Sequence, residues 1–296
     1  MSVDFAGWSS AHQSRFEDVL RGLLPQAEVM PQRLHQAMRY AVLDGGKRVR
    51  PLLAFAAGEL VGAELGRVNI AAAAVELIHA YSLVHDDMPC MDDDVLRRGK
   101  PTCHVQYDEP TALLVGDSLQ TLAFQLLAEN TLNDDARHQL EMVKLLAQAS
   151  GSRGMAGGQA IDLESVGRAL SLPELENMHI HKTGALIRAA ILLGAHCGTV
   201  TASQLNNLDH FGKCVGLAFQ VVDDVLDAEA DTATLGKTAG KDADNDKPTY
   251  VTLLGVQAAR NMAGELHGEA LSALDEFGDA AQRLRELADF IVLRKF

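Results

Sequence analysis

Basic charge is scarce in this chain: 26 lysines and arginines stand against 40 aspartates and glutamates, a formal net charge of −14. That balance argues against nucleic acid or an anionic membrane as the main partner, because both select basic surfaces. Proline is limited to 8 residues and aromatics to 5%. β-Sandwiches and barrels favour aromatic strands, so the composition leans helical. Cys90, Cys103, Cys197 and Cys214 form no C-x-x-C pair, which leaves zinc and thioredoxin-like chemistry with little support. Cys90 matches no nucleophile motif and reads as a packing residue. No run approaches ~20 apolar residues, and Met1 to Ser10 has neither a basic nor an apolar targeting region. The expectation is a cytoplasmic protein with no membrane span.

No convincing period-2 alternation appears, and no composition break or fixed-period repeat divides the sequence. Helical spacing recurs instead. Gln32–Leu43 carries Leu34, Met38, Ala41 and Val42 on one face, and Gly45-Gly46 ends it. Pro51–Val61 and Val68–Asp87 are apolar nearly all round, as buried helices are. Further helices are expected from about Ser10 to Leu24, Leu113 to Ala128, Pro173 to Cys197 and Ser203 to Leu226, with amphipathic helices at 249–277 and 281–293. Residues 1–296 therefore read as a single all-α domain, a bundle of roughly ten or more helices.

Against this apolar background two acidic sets stand out. The first places Asp86, Asp87, Asp92, Asp93 and Asp94 within nine positions at the end of an apolar helix, with Arg97 and Arg98 following. Taken alone, such a run reads most often as a solvated turn. The second set changes that reading. Gln220, Asp223, Asp224 and Asp227 fall at i, i+3, i+4 and i+7, a stripe about 100° wide on a helix whose other sides are Phe219, Val221, Val222 and Val225. Carboxylates amid apolar surface need partners. Two such walls facing one another in a bundle core can hold hard cations, and oxygen-only ligands favour Mg²⁺, Mn²⁺ or Ca²⁺ over zinc. Arginines alongside suit a diphosphate carried by the same ions. His79, two turns before Asp86, is either a satisfied core histidine or a donor to a phosphate deeper in the cavity. Lys47, Arg50, Lys182, Lys237 and Lys247 lie at helix ends or glycine-rich turns; each alone is weak evidence, and their number beside the acidic motifs is what counts.

Read in order, these residues resemble the trans-isoprenyl diphosphate synthase family. The likeness runs from Gly45-Gly46-Lys47-Arg48-Val49-Arg50-Pro51 through Asp86-Asp87-x4-Asp92 and Leu96-Arg97-Arg98-Gly99-Lys100-Pro101. It continues with Val115-Gly116-Asp117, GMAGGQAIDL at 154–163, His181-Lys182-Thr183-Gly184, Asp223-Asp224-x2-Asp227 and Leu235-Gly236-Lys237. One aspartate motif would be weak; the ordered set is specific. It is similar above all to bacterial members that form farnesyl diphosphate.

The resemblance implies the isoprenoid synthase fold around a central cavity, usually in a homodimer. It implies that Asp86, Asp87, Asp92, Asp223, Asp224 and Asp227 hold Mg²⁺, three ions to a site, with Mn²⁺ as a substitute. Arg97, Lys182, Thr183, Gln220, Lys237 and Lys247 would surround the allylic diphosphate. Lys47, Arg50, His79 and Arg98 would hold isopentenyl diphosphate. The expected catalytic set is Asp86, Asp87, Asp92, Arg97, Lys182, Asp223 and Lys237. The expected reaction joins isopentenyl diphosphate to dimethylallyl or geranyl diphosphate, giving (2E,6E)-farnesyl diphosphate by ionisation and 1′-4 coupling. Product length would be set by Tyr81, Ser82 and Ile78, with Tyr81 blocking growth beyond C15. A geranylgeranyl-forming enzyme is the nearest alternative, since such enzymes share the four-residue spacer. A terpene cyclase fits less well, because it needs no site for Lys47, Arg50 and His79. A non-catalytic synthase subunit typically loses one aspartate motif, and both are complete here.

Overall fold

In a computed structural model, which describes residues 4–229 and 248–294 of the chain, the first helix, α1 (Phe5–Leu23), is capped by Asp4. Its carboxylate accepts the Gly7 N–H at 2.7 Å, satisfying one of the donors that every helix start leaves open. α1 begins earlier than the sequence pattern indicates and buries Trp8, His12, Phe16 and Leu20 at helical spacing. α2 (Gln32–Val42) and α3 (Val49–Leu60) follow. α3 starts on Arg48 in the left-handed region, so Pro51 falls in its first turn, where its missing N–H costs nothing.

α4 (Leu65–Asp86) and α6 (Glu109–Glu129) are long and apolar enough to cross a membrane by length and composition alone. Two thirds of the α4 stretch is buried inside the protein, so its apolar length serves the core, through residues such as Ala71–Val75 and Leu77. α6 is covered less completely and leaves Leu113 and Leu114 exposed. Between them, β1 (Leu96–Arg97) and β2 (Lys100–Pro101) form a two-residue antiparallel ladder. It is too short for any period to register in the sequence. Arg98 and Gly99, both at positive φ, supply the turn geometry that tight hairpins require. A short α5 (Cys103–Gln106) leads into α6.

α7 (Ala136–Ser150) is capped by Asp135, whose carboxylate accepts the Arg137 N–H. α8 (Met155–Glu164) and α9 (Leu172–His179) follow, and a π-turn at Ile180–Gly184 joins α9 to α10 (Ala185–His196). The sequence reads this whole stretch as one regular helix. α10 packs on α3, α4, α7 and α11 (Ala202–Glu229). Its approach to α3 is so close that a Cβ on Gly194 would lie 2.2 Å from the Ala54 carbonyl oxygen. After the residues outside the described set come α12 (Tyr250–Leu254), α13 (Val256–Ala273), a 3₁₀ segment (Asp275–Ala281) and α14 (Gln282–Val292). Gly255 at φ 81° separates α12 from α13, dividing what the apolar pattern presents as one helix. The main core runs through α1 to α8, α10, α11, α13 and α14; a smaller cluster around Tyr250 joins α9, α11, α12 and α13.

Candidate active site

α4 ends on Asp86, and the chain then folds back on itself instead of continuing the helix. Pro89 has no N–H to offer, and the Asp92 N–H donates to the Asp86 carbonyl at 2.8 Å. Asp92 is thereby brought back beside Asp86, the widened turn that the sequence implied. Burial first of all pushes the Asp86 carboxyl up to about 6; Lys182 and Arg97 oppose the rise, whereas Asp92 and Asp87 add to it. Asp87 turns the other way. It is 3% exposed and takes Arg97 in a forked pair, with Nε 2.8 Å from each carboxylate oxygen. Asp87 and Arg97 thus brace the loop with each other, although both were expected at the ions or the substrate.

The second acidic set divides in the same way. Asp223 is half exposed and pairs with Arg294 of the C-terminal segment, whose guanidinium also lies over the Phe219 ring. Asp224 is 5% exposed and accepts from Gln220 Nε2 at 3.0 Å and from the Tyr250 backbone N–H at 2.8 Å. Its carboxylate anchors the start of α12, a different duty from the metal ligation expected of it. Among the described residues, no three carboxylates of the two sets bring oxygens within 4.8 Å of one another. An all-oxygen donor set of this kind suits Mg²⁺.

The π-turn carries Lys182 and Thr183 between the two acidic walls. π-turns recur at functional sites because they re-aim side chains within a helix. Here two glycines permit it. A Cβ on Gly158 of α8 would lie 2.1 Å from the Lys182 backbone nitrogen, and one on Gly216 of α11 would lie 2.8 Å from the Gly184 Cα. Lys182 Nζ is held at 2.6 Å by Asp162, and the Thr183 hydroxyl donates to Gln220 Oε1 at 3.2 Å. Asp162 is a residue that sequence reasoning passed over, although it lies in the quoted GMAGGQAIDL motif.

Opposite the acids is a cationic cluster. Arg48 is buried at φ 51°. It reaches Glu76 at 2.6 Å, Glu17 at 2.9 Å through Nε, and the Val42 carbonyl at 2.6 Å. This clamp fixes the loop from which Lys47 and Arg50 extend. Burial lowers Arg50 and Arg98 from their ordinary values, with Glu76 opposing both shifts; Arg98 adds to the first, and Arg48 and Arg97 add to the second. Burial, then Arg50, Arg98, Arg97 and Arg48, hold the His79 imidazole well below its usual value. His79 is therefore a neutral donor among fixed cations, an arrangement that suits an anion. Burial likewise lowers Lys47, with Arg294 adding to the shift. Arg98 also explains Gly46, whose Cβ would fall 2.6 Å from its guanidinium.

Between acids and cations lies a cavity of about 370 Å³ lined by Arg50, His79, Asp86 and Lys182 on its polar side and by Tyr81, Met155 and Leu163 on its apolar side. Tyr81 and Ser82 both line it, and the Tyr81 ring packs edge-on against His85 at 5.8 Å. Ile78 does not: it is 0% exposed within the packed core, so the expectation that it shapes the cavity floor is corrected. Gln159, unremarked in the sequence, lines the cavity with both side-chain amide atoms buried and without a hydrogen-bond partner. Cys90 is exposed, which corrects its reading as a packing residue. Lys237 and Lys247 lie outside the described residues.

The polyprenyl synthetase family model matches residues 31–284. The chain is 47% identical over 285 residues to a farnesyl diphosphate synthase of Haemophilus influenzae, covering 96% of each chain. It is also 47% identical over 266 residues to a chloroplastic geranylgeranyl pyrophosphate synthase of Capsicum annuum, covering 89% of this chain and 72% of that one. A solved geranyltransferase of Helicobacter pylori, complexed with magnesium and isoprenyl diphosphate, superposes with a TM-score of 0.83 at 35% identity, over 99% of this chain and 98% of that one. With two carboxylate walls and a cationic cluster around one cavity, in the all-α fold of these relatives, the chain belongs to the polyprenyl synthetase family and is a prenyltransferase.

Proposed function

We propose that this prenyltransferase condenses isopentenyl diphosphate with dimethylallyl and then geranyl diphosphate, releasing (2E,6E)-farnesyl diphosphate. The observation that carries the reading is the pairing of two self-repelling clusters across one apolar cavity. Burial first, and then Asp92 and Asp87 beside it, push the Asp86 carboxyl up to about 6 on one side, while burial lowers Arg50, Arg98 and His79 on the other. Each cluster lacks what a metal–diphosphate substrate brings.

Asp86, Asp92, Asp223 and Asp227 would hold Mg²⁺, or Mn²⁺ in its place. Mg²⁺ held by these carboxylates would supply electrostatic stabilisation of the diphosphate as the allylic C–O bond breaks. Lys182, steadied by Asp162, adds a fixed cation on the leaving side. Arg50, Arg98 and Lys47 grip the other diphosphate, with neutral His79 donating a hydrogen bond. Gln220, oriented by Thr183 and Asp224, presents an amide dipole to the reacting carbons. The apolar wall excludes water that would capture the carbocation. The isopentenyl double bond attacks it, and the departing diphosphate takes the proton. No protein nucleophile enters. Lys237 and Lys247 belong to the same proposal on sequence grounds, and so does a homodimer, in which a second copy covers Leu113 and Leu114 of α6. The free cysteines suit a reducing cytoplasm.

The test is incubation of purified protein with Mg²⁺, radiolabelled isopentenyl diphosphate and each allylic diphosphate, followed by sizing of the products. C15 is expected. A C20 product transfers the reading to geranylgeranyl diphosphate, the alternative that the Capsicum relative keeps open. Absence of any isopentenyl-dependent product overturns it.

A further inference from the structure

α11 and α13 bring three metal-ligating side chains together on the outside of the bundle. His210 and Cys214 lie one turn apart on α11, on the same side of the helix. The imidazole Nε2 is 3.8 Å from the Cys214 sulfur. From α13, Glu269 carries Oε2 to 3.8 Å from the same sulfur. All three donor groups fall within 4.8 Å of one another. Around tetrahedral zinc, with Zn–S near 2.3 Å and Zn–N near 2.0 Å, neighbouring donors sit about 3.5 Å apart. The three groups are thus a few tenths of an ångström to about one ångström from sharing one ion.

Hydrogen bonding explains the grouping poorly, because contacts of 3.8 Å are long and weak even for sulfur. The donors also match one class of cation. A thiol, an imidazole and a carboxylate form a mixed, partly soft set that Mg²⁺ and Ca²⁺ do not prefer and Zn²⁺ does. Thiolate and carboxylate together neutralise a divalent charge. Cys214 is 4% exposed, whereas His210 and Glu269 are exposed, so an ion reaches the sulfur from solvent without opening the fold. Glu265, one turn before Glu269, lines the same cleft and leaves an oxygen donor or a water for the fourth position. The site is separate from the aspartates: Asp223 lies nine residues beyond Cys214, about 13 Å along the helix and half a turn around it.

We propose that His210, Cys214 and Glu269 bind a zinc-class cation and clamp α11 to α13. Binding forms a metal–sulfur bond and releases the thiol proton to solvent. A Co²⁺ titration of the full chain, with Mg²⁺ in large excess to occupy the aspartates, reads the site directly. One Co²⁺ per chain is expected, with a thiolate-to-cobalt charge-transfer band in the near ultraviolet that Zn²⁺ displaces. Cys90→Ser, which removes the exposed thiol beside the aspartates, keeps the band, and Cys214→Ser loses it. His210→Gln and Glu269→Gln each weaken binding about tenfold or more; both positions are exposed, so these variants keep the test decisive if Cys214→Ser fails to fold. A band that survives Cys214→Ser, disappears in Cys90→Ser, or needs more than ~1 mM Co²⁺ to form overturns the proposal, as does unchanged affinity in both exposed variants.

Discussion

Arg294 closes an ion pair on Asp223, reaching from the C-terminal segment to the first carboxylate of the second acidic set. The guanidinium is 8% exposed and lies 4.4 Å from the Phe219 ring centroid, so the contact is seated and not a passing surface encounter. The same carboxylate is a proposed Mg²⁺ ligand. Tail and cation therefore compete for Asp223. A half-exposed pair of this kind contributes ~0.5–1 kcal/mol, and Arg294→Ala is expected to lower the half-saturating Mg²⁺ concentration about two- to fivefold. Initial rates across a Mg²⁺ series check this; a higher Mg²⁺ requirement would mean that Arg294 serves the substrate instead.

Tyr81 stands on the cavity wall, 8% exposed, with a hydrogen bond to Gln120 and its ring against His85. Removing the ring opens the path along α4. Tyr81→Ala is expected to lengthen the product to C20 or more, and Tyr81→Phe, which keeps the bulk, to leave it at C15. Chromatographic sizing of the prenyl chains decides, and an unchanged C15 product from Tyr81→Ala removes Tyr81 from the account.

Gly158 touches the π-turn where a methyl group has no room. Gly158→Ala forces the Lys182 backbone away from α8. The expected stability cost is ~1–3 kcal/mol, whereas displacement of Lys182 and Thr183 lowers kcat by about a hundredfold. Melting curves and steady-state rates separate the two effects. A variant that melts lower but turns over normally would detach the π-turn from catalysis.

His179 is 7% exposed, and neither ring nitrogen has a hydrogen-bond partner; its ring lies against Tyr250. Burial first, then Lys182, lowers its pKa to about 4. Below its unfolded pKa near 6.5 the unfolded chain takes up a proton that the folded chain refuses. Stability is therefore fully present above that pH and is lost as pH falls toward 4, by on the order of 3 kcal/mol. His179→Phe is expected to flatten this part of the stability–pH curve in urea titrations between pH 4 and 7. A parallel curve for the variant would trace the acid sensitivity elsewhere.

Helices and acidic walls were legible because apolar spacing repeats over many turns, and Gln220, Asp223 and Asp227 interrupt it on one stripe. Other features left no such trace. The π-turn changes hydrogen bonding without changing composition. The 96–101 hairpin is shorter than any period. Asp87 and Asp224 look like their neighbours in sequence, yet one helical position decides whether a carboxylate faces the cavity or a protein partner: Arg97 in the first case, Tyr250 N–H in the second. Arg48 was quoted within its motif without a role, because only the fold reveals Glu17 and Glu76 around it. His210 and Cys214 drew no reading in the sequence, because Glu269, which completes the group, lies 55 residues beyond Cys214. Lys237 and Lys247, expected at the allylic diphosphate, stand outside the described residues.

α10 touches both helices that carry the acidic walls, α4 on one side and α11 on the other, and contains no aspartate or glutamate. Its width therefore sets the separation of carboxylates that it does not supply. Gly194 against Ala54 sets how closely α10 lies to α3, and Gly212 of α11, where a Cβ would fall 3.1 Å from the Arg188 Cα, sets how closely it lies to the second acidic wall. A methyl group gained at Gly212 would push α11 away from α10 while leaving every charged residue intact. The chemistry of this enzyme is thus as exposed to change in its smallest residues as in its aspartates, and losses of activity that map to α10 would be failures of spacing.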